Sequence, residues 1–474
     1  MNEAQINAIV EQVVRRLSGE LGKLPSSGAS GGRAPAVISK RPGIFDDLDS
    51  ATTAAQRAQE QWVRLDVEAR EKVIEAMRQC CRDNVNELSR MAVEETKLGN
   101  VKDKIVKNLL CANKTPGMEI LRAQAWTGDY GLMLMERAPF GVIGAITPST
   151  NATETIINNG VAMVAGGNSV VFNVHPSAKN VVMFFVSKLN ESIVAAGGPA
   201  NLLCMLGNPT IDSAGALMKH PAIRLVVVTG GPAVVKAAMN SGKRAICGGP
   251  GNPPAVVDDT AHIARAAKDI VDGASLDNNI VCIVEKEVFA VASIADQLKT
   301  EMQKHGAFEV PSSAINRLEK LVVDDGHAAR DWVGKDATKI AEAAGLRVPA
   351  GTRLLFAEVD PTHPFIQAEL LMPVIGFSRL KTVEDCIAAA VQAEHGFGHT
   401  ATMHSTNIDV LSAMAKIINT SIFVKNGPSF AGLGMTGEGY TSFTIASPTG
   451  EGLTTPVSFT RERRCTLKDS FRII

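Results

Sequence analysis

Aromatic residues are scarce in this chain, at 4% of its 474 residues, and its formal net charge is only −1. No basic stretch alternates with aromatic side chains, so the sequence lacks the positive surface and the stacking rings that nucleic acid or an anionic membrane would require.

Long apolar runs are missing too. Residues 155–178 contain no Asp, Glu, Lys or Arg, but several asparagines and glycines interrupt them. That pattern predicts a buried helix, a turn and a core strand and argues against a membrane span.

Paired cysteines are also missing. The eight cysteines include no C-x-x-C and no short Cys/His ligand spacing, so we expect neither a disulfide framework nor a metal site. Charged residues interrupt the apolar positions at the N-terminus, and no secretory signal is recognised there. We therefore expect a cytoplasmic protein in a reducing environment.

The first 18 residues form a pattern of their own. Apolar residues at positions 6, 9, 10, 13, 14 and 17 would share one face of an amphipathic helix. Residues 19–42 lose this periodicity and contain five glycines and three prolines, which is typical of a flexible linker. A helix of this length has only marginal stability in water when it packs against nothing else. The pattern is compatible with a helix that docks on a partner and with a coiled-coil or oligomerisation helix.

From Gly43 onward, helical patterns alternate with short β-branched runs. The clearest are two helices and three strands, at Ala54–Trp62, Ala69–Cys81, Gly141–Thr147, Ser169–Val174 and Leu225–Thr229. This alternation predicts an α/β fold whose parallel sheet is covered by helices on both faces. A second alternating block covers about 251–430, and residues 441–474 are strand-like. Neither the G-x-G-x-x-G fingerprint nor a P-loop occurs.

Seven longer motifs follow one another along the chain. They are PFGVIGAITPSTN (139–151), VVTGG (227–231), GNPPAVVDDTA (251–261), DNNIVC (277–282), ELLMP (369–373), SIFVKNGPSFAGLG (421–434) and SPTGEG (447–452). On these motifs, the chain from Gly43 to its C-terminus resembles the aldehyde dehydrogenase superfamily. The likeness is greatest to the CoA-acylating branch, and within it to the propionaldehyde and acetaldehyde dehydrogenases of bacterial microcompartments.

The resemblance implies an aldehyde dehydrogenase fold divided into recognisable parts. It implies a Rossmann-like cofactor domain over 43–250, an α/β catalytic domain over 251–440 and a small β flap. The flap would combine a segment near 120–137 with residues 441–474 and would join copies of the chain into a homo-oligomer, a dimer or a tetramer. For residues 1–18 the resemblance implies an encapsulation peptide that docks on a microcompartment shell protein.

Cys282 is the candidate nucleophile. A free cysteine is most often a buried, inert hydrophobe. Here, however, polar Asp277, Asn278 and Asn279 precede an apolar, strand-like segment that carries the thiol, which suggests a position at the mouth of a site. The resemblance implies that Cys282 attacks the aldehyde and holds the product as a thioester.

Asn151 is the second candidate catalytic residue. By resemblance, its side-chain amide and the backbone N–H of the catalytic cysteine stabilise the oxyanion that forms when the aldehyde is attacked. The other interpretation is that Asn151 caps a helix starting near Thr153. The two roles are compatible.

Glu369 and a set of loop residues are expected to bind the cofactor. By resemblance Glu369 accepts hydrogen bonds from the nicotinamide ribose; otherwise it is a solvated carboxylate at a strand end. The other expected cofactor-binding residues are Pro148, Ser149, Thr229, Gly230 and Gly231. The lysine that contacts the adenosine ribose in hydrolytic relatives corresponds to about Asn173, so the choice between NAD and NADP stays open, and NAD is favoured by resemblance alone.

Position 248 lacks the residue on which hydrolytic relatives depend. It is a glycine, 34 residues before Cys282, whereas those relatives have a glutamate there that deprotonates water. CoA needs less help than water, because a thiol with a pKa near ~8.5 is partly ionised at neutral pH and is strongly nucleophilic. Together with the glycine at 248, the resemblance implies oxidation of propionaldehyde or acetaldehyde by NAD and CoA to acyl-CoA and NADH, within a microcompartment.

Other functions stay open at this point. They are a CoA-independent or semialdehyde dehydrogenase on the same fold, and a non-catalytic microcompartment cargo. The aldehyde chain length and its source, propanediol or ethanolamine utilisation, are not distinguished. Nor do we assign roles to four histidines, which are His175, His395, His399 and His404.

Overall fold

The structure is a computed structural model that describes residues 41–474. The helix expected over 1–18 and nearly all of the linker expected over 19–42 lie outside the described residues. Both stay predictions.

The first part of the described chain builds a parallel six-stranded sheet and a hairpin. Its strands are β1 (Ile44–Phe45), β2 (Gln124–Gly128), β3 (Gly131–Pro139), β4 (Val142–Thr147), β5 (Ser169–Val174), β6 (Leu203–Leu206), β7 (Ile223–Thr229) and β8 (Arg244–Gly248). The sheet has the order β1-β6-β5-β4-β7-β8, and all its pairings are parallel. The strands predicted at 141–147, 169–174 and 225–229 are confirmed to within two residues.

Helices cover both faces of this sheet. They are α1 (Leu48–Trp62), α2 (Val67–Thr96), α3 (Val101–Lys114), α4 (Ala152–Ala165), α5 (Lys179–Ala195), α6 (Ile211–Lys219) and α7 (Pro232–Met239). Successive residues of a strand point to opposite faces, and β4 shows the result. Ile143 and Ala145 belong to a core with α2, α4 and α5, whereas Val142 and Ile146 belong to a core with α1, α6 and α7.

A second parallel sheet is formed by residues 254–425. The remaining strands are β9 (Pro254–Val257), β10 (Glu287–Val291), β11 (Ala307–Glu309), β12 (Val323–Asp324), β13 (His327–Ala328), β14 (Leu354–Glu358), β15 (Val374–Leu380), β16 (Thr400–His404), β17 (Ile422–Lys425), β18 (Ile445–Ala446), β19 (Gly452–Leu453) and β20 (Thr460–Lys468). Seven of them form the sheet in the order β11-β14-β15-β10-β9-β16-β17. Its helices are α8 (Ile263–Ser275), α9 (Ala295–Lys304), α10 (Ser312–Val322), α11 (Ala337–Ala343), α12 (Pro364–Gln367), α13 (Val383–Ala393) and α14 (Ile408–Ile418).

A three-stranded antiparallel sheet joins distant parts of the chain. β3 pairs with β2 on one side and with β20 on the other, and the β3–β20 register runs from Pro139 opposite Thr460 to Gly131 opposite Lys468. These segments correspond to the expected flap. Its role in oligomerisation and the domain boundaries stay predictions.

Two local expectations need correction. The segment from Ile280 to Val284 is a series of turns, and the strand begins only at Glu287. Residues 441–474 are strand-like only in part, since the strands there are β18, β19 and β20. The apolar residues before Glu287 are buried in a loop, so their hydrophobicity reflects tertiary burial and not a strand.

The order of the six-stranded sheet creates a crevice at one edge. Strands β4, β5 and β6 follow one another in one direction, whereas β7 and β8 continue from β4 in the other. Loops that leave the carboxyl ends of β4 and β7 therefore diverge, which is where α/β sheets bind ligands. Among the helices of residues 41–474, none combines the length and the apolar character that crossing a membrane requires.

Candidate active site

One cavity, with a volume of 720 Å³, lies at this crevice. All eight residues that the sequence analysis assigned to the site line it, namely Pro148, Ser149, Asn151, Thr229, Gly230, Gly231, Cys282 and Glu369. They come from the end of β7, from the loops that follow β4 and β7, from the loop before β10 and from the loop before β15. The structure thus brings together residues that lie up to 221 positions apart, since 369 − 148 = 221.

Cys282 lies in the turn before β10 and is partly exposed to the cavity. Burial raises the pKa of its thiol to about 12; Glu369 adds to this effect, and Lys286 and Lys107 oppose it. The backbone N–H of Cys282 makes no hydrogen bond to another described residue. It is therefore free to donate to a ligand atom.

Three consecutive left-handed residues shape the loop that leads to Cys282. Asp277, Asn278 and Asn279 have φ values of 47°, 55° and 64°, a region that costs ordinary residues energy. Each side chain compensates with contacts to other segments; for example, Asn278 Nδ2 donates to Gly334 O at 3.0 Å. Lys286 Nζ donates to Asn279 O at 2.7 Å and to Asn279 Oδ1 at 2.6 Å. The nucleophile's loop is thereby held in one conformation.

Asn151 precedes α4 but does not cap it. It occupies the N-cap position, yet its side chain makes no capping hydrogen bond. Instead, Lys107 Nζ donates to Asn151 Oδ1 at 2.6 Å. The helix-cap interpretation is therefore wrong for the side chain, which leaves its Nδ2 group available to a ligand.

A buried ionic cluster lies behind Asn151. Lys107 Nζ is 2.5 Å from Asp277 Oδ2 and 3.1 Å from Glu154 Oε1, and Lys104 Nζ is 3.0 Å from Asp277 Oδ2. All four side chains are at most 1% exposed. Burial opposes the charge on Lys107, but Asp277 and Glu154 outweigh it and hold the pKa of Lys107 above its ordinary value. The sequence analysis missed both lysines.

Glu369 faces the same cavity from the loop before β15. Burial raises its pKa to about 7, while Lys286 and the backbone N–H of Gly251 lower it. The carboxyl group is thus near the point of ionisation at neutral pH, and it is available to accept hydrogen bonds from a diol.

The turn after β7 leaves room for a large ligand. Gly230 and Gly231 precede α7, whose first-turn N–H groups face an anion favourably, and a side chain at Gly231 would meet only open space. With Glu369 in the cavity, these residues fit a nicotinamide dinucleotide. Asn173 is engaged within the protein, because its Oδ1 accepts from Ser213 Oγ at 2.6 Å. The residues that line the cavity include no lysine or arginine.

Gly248 ends β8 next to another segment of backbone. A Cβ atom at this position would lie 3.1 Å from the carbonyl oxygen of Ile445, closer than nine in ten real Cβ contacts. The chain thus lacks the general base and also leaves little space for one at this position.

The four histidines without an assigned role differ in their location. His175 lines the cavity. His399 is buried beside the loop of the nucleophile. A Cβ atom added at Gly251 would lie within 4 Å of both the His399 ring and the carbonyl oxygen of Cys282. Burial lowers the pKa of His399 to about 4 and that of His404 to about 4, so both are neutral near pH 7. His395 Nε2 lies 2.9 Å from Gln367 O.

Comparisons with known proteins agree with this geometry. The family model for the aldehyde dehydrogenase family matches residues 43–443. The acetaldehyde dehydrogenase (acetylating) EutE of Salmonella typhimurium is 47% identical over 481 residues, covering all of both chains. A propionaldehyde dehydrogenase from the fucose utilisation bacterial microcompartment of Clostridium phytofermentans superposes with a TM-score of 0.90 at 47% identity, covering 91% of this chain and all of that one.

A second solved structure is informative about chemistry. It is the Rhodopseudomonas palustris propionaldehyde dehydrogenase with bound CoA and an acylated cysteine. Its TM-score is 0.89 at 48% identity, over 90% of this chain and 98% of that one. The chain belongs to the aldehyde dehydrogenase family. Its predicted resemblance to the CoA-acylating branch, and to microcompartment enzymes within that branch, is confirmed.

Proposed function

We propose that this chain oxidises a short-chain aldehyde with NAD and CoA to acyl-CoA and NADH, through a thioester on Cys282. The observation that carries the proposal is the single cavity that holds Cys282, Asn151 and Glu369 while position 248 offers no base for water. A thioester formed there would persist until a better nucleophile than water arrives.

The first half of the reaction forms the thioester. The thiol of Cys282 loses its proton to solvent, and Sγ bonds to the carbonyl carbon of the aldehyde, whose oxygen takes the electron pair. Asn151 Nδ2 and the backbone N–H of Cys282 are the two donors that stabilise this oxyanion. NAD, when bound, supplies the hydride acceptor. The carbonyl then re-forms as the C–H electron pair leaves, and the acyl group remains on Sγ.

The second half transfers the acyl group. The thiolate of CoA attacks the thioester carbonyl, and the same two donors stabilise the second oxyanion. The bond from carbon to Cys282 Sγ breaks, acyl-CoA leaves, and the cysteine thiolate takes up a proton from solvent to restore the thiol. The proton that CoA loses on ionisation passes to solvent.

Acetaldehyde and propionaldehyde are the proposed substrates. The relatives described above are named for these two aldehydes, which differ by one methylene. A pocket distinguishes such a difference by only about 1–3 kcal/mol, so we expect both to be turned over.

Omitting CoA tests the proposed function directly. With NAD and either aldehyde, we expect steady NADH formation only when CoA is present, followed by absorbance at 340 nm, a wavelength specific to the reduced cofactor. Without CoA, at most one NADH per active site is expected, because the thioester is not hydrolysed efficiently. Steady turnover at an equal rate without CoA would contradict the proposal and favour a CoA-independent dehydrogenase.

We also propose that residues 1–18 form an encapsulation peptide for a microcompartment shell. A relative of similar fold comes from such a compartment, and the apolar face of the predicted helix suits docking on a groove. Deleting residues 1–18 should leave kcat unchanged and reduce the enzyme recovered with purified shells. Equal recovery of the full chain and the deletion variant would refute this role.

A further inference from the structure

We propose that Lys107 is a positioning residue for the oxyanion site, which fixes the amide of Asn151 and ties it to the loop of Cys282. The inference rests on the proposed function, in which Asn151 donates to the reacting oxygen. It is carried by the contacts of a buried lysine that the reaction itself does not require.

The first step is the orientation of the Asn151 amide. A lysine ammonium is only a hydrogen-bond donor, so the 2.6 Å contact from Lys107 Nζ must involve the oxygen of the amide. The Nδ2 group is therefore turned away from Lys107. Among the described residues its one hydrogen bond is a long one, 3.5 Å to Thr150 Oγ1. Lys107 thus selects the amide orientation in which Nδ2 is free to donate.

The second step is the rigidity of Lys107 itself. Its ammonium contacts Asp277 at 2.5 Å and Glu154 at 3.1 Å, and the side chain is 1% exposed. Lys104 shares Asp277, so two lysines face two carboxylates and the charges balance. A buried cation is tolerated only when it is paired in this way. The ion pairs hold Lys107 Nζ at one place, and its hydrogen bond then fixes the side chain of Asn151.

The third step connects this place to the nucleophile. Asp277 accepts from both lysines and from the backbone N–H of Asn100 at 2.8 Å. It also begins the left-handed run that ends three residues before Cys282. One cluster therefore holds both proposed oxyanion donors, the amide of Asn151 and the N–H of Cys282. A cation on the amide oxygen also polarises the amide and strengthens Nδ2 as a donor.

A double-mutant cycle tests the inference. We expect Asn151→Ala to lower kcat by about 100-fold, as loss of one oxyanion donor does, and Lys107→Met to lower it by about 10-fold. Because Lys107 acts through Asn151, the combined variant should be no slower than Asn151→Ala alone. Losses that multiply to about 1000-fold would overturn the inference.

Lys104→Met is the matched control. Lys104 is equally buried and pairs with Asp277; it donates to the carbonyl oxygen of Thr150 at 3.2 Å and makes no contact with the side chain of Asn151. Its loss leaves the same excess negative charge in the cluster as Lys107→Met. Because Lys104 reaches Asn151 only through the shared Asp277 and the Thr150 carbonyl, Lys104→Met should be coupled to Asn151→Ala less strongly than Lys107→Met is. If Lys104→Met instead shows the same coupling as Lys107→Met, general loosening of the cluster explains both and the inference fails.

Two further measurements separate positioning from damage to the fold. The double variant Lys107→Met/Glu154→Gln removes one charge of each sign. It replaces Lys107→Met in the cycle if that single variant does not fold, and we expect it to show the same coupling to Asn151→Ala. Alkylation of Cys282 by iodoacetamide forms no oxyanion, and Lys107 has the smallest of the named effects on the pKa of the thiol. The alkylation rate in Lys107→Met should therefore stay within about 3-fold of wild type. An alkylation rate that falls in parallel with kcat would contradict the inference. If Asn151→Ala itself retains full activity, the proposed role of Asn151 fails first.

Discussion

Replacing Cys282 with alanine is expected to lower kcat by at least about 10⁴-fold, as the loss of a nucleophile does in other covalent enzymes. Without Sγ no thioester forms, and water has no base at Gly248 with which to replace it. The substitution removes one sulfur atom from a partly exposed turn, so the fold and the cofactor site should persist.

Three measurements check this expectation. NADH formation reports kcat, mass spectrometry of enzyme incubated with propionaldehyde and NAD reports the acyl adduct, and NADH fluorescence reports cofactor binding. The adduct should be present in wild type, absent in Cys282→Ala, and unaffected in Cys465→Ala, which removes an exposed thiol of β20. An acylated Cys282→Ala protein would assign the nucleophile elsewhere.

The raised pKa of Cys282 has a consequence for the free enzyme. With a pKa of about 12, caused mainly by burial, the thiol is almost wholly protonated at pH 7. A thiol that is mostly protonated reacts slowly with oxidants, so burial should protect Cys282 from adventitious oxidation. Iodoacetamide should accordingly label Cys282 of the free enzyme more rapidly as the pH is raised from 7 to 9.

Much of the fold could be predicted because its signals are local. β5 is mostly apolar, with Ser169 and Asn173 as its two polar residues, and it is buried along its whole length, as strands of covered parallel sheets are. The residues of the cavity were found through motifs, and topology explains why they meet. Asn151 and Gly230 follow β4 and β7, and the carboxyl ends of neighbouring parallel strands share one edge.

The ionic cluster could not be predicted, because its partners are distant along the chain. Lys104 and Lys107 lie on α3 among other charged residues, a pattern typical of a solvated helix face. Their carboxylate partner Asp277 follows 170 positions after Lys107, since 277 − 107 = 170. Only the tertiary structure buries them. The same limit explains why the apolar residues before Glu287 resembled a strand.

Glu369 links cofactor binding to pH. Burial raises its pKa to about 7, so the carboxyl group is neutral below that value and ionised above it. If the ionised form accepts both ribose hydroxyls, the Kd for NADH should be about 20-fold higher at pH 5.5 than at pH 7.5. Three of the neighbouring groups change charge little in this range. Cys282, with a pKa of about 12, and His399, with a pKa of about 4, barely titrate there, and Lys286, with a pKa of about 8, keeps most of its charge.

Glu369→Gln should remove this dependence and weaken binding throughout. Loss of a charged acceptor costs about 1.5–3 kcal/mol, so we expect Kd at pH 7.5 to rise by about 10- to 100-fold and to vary little with pH. His175 also lines the cavity, and burial lowers its pKa, while Glu285, with a pKa of about 7, acts on Lys286. Any pH dependence that survives in Glu369→Gln therefore belongs to these other groups. Glu301→Gln, at a surface pair with Lys304, is the matched control and should behave as wild type. An unchanged pH profile in Glu369→Gln would mean that the carboxylate does not hold the ribose, because protonation of Glu369 is the change that the substitution mimics.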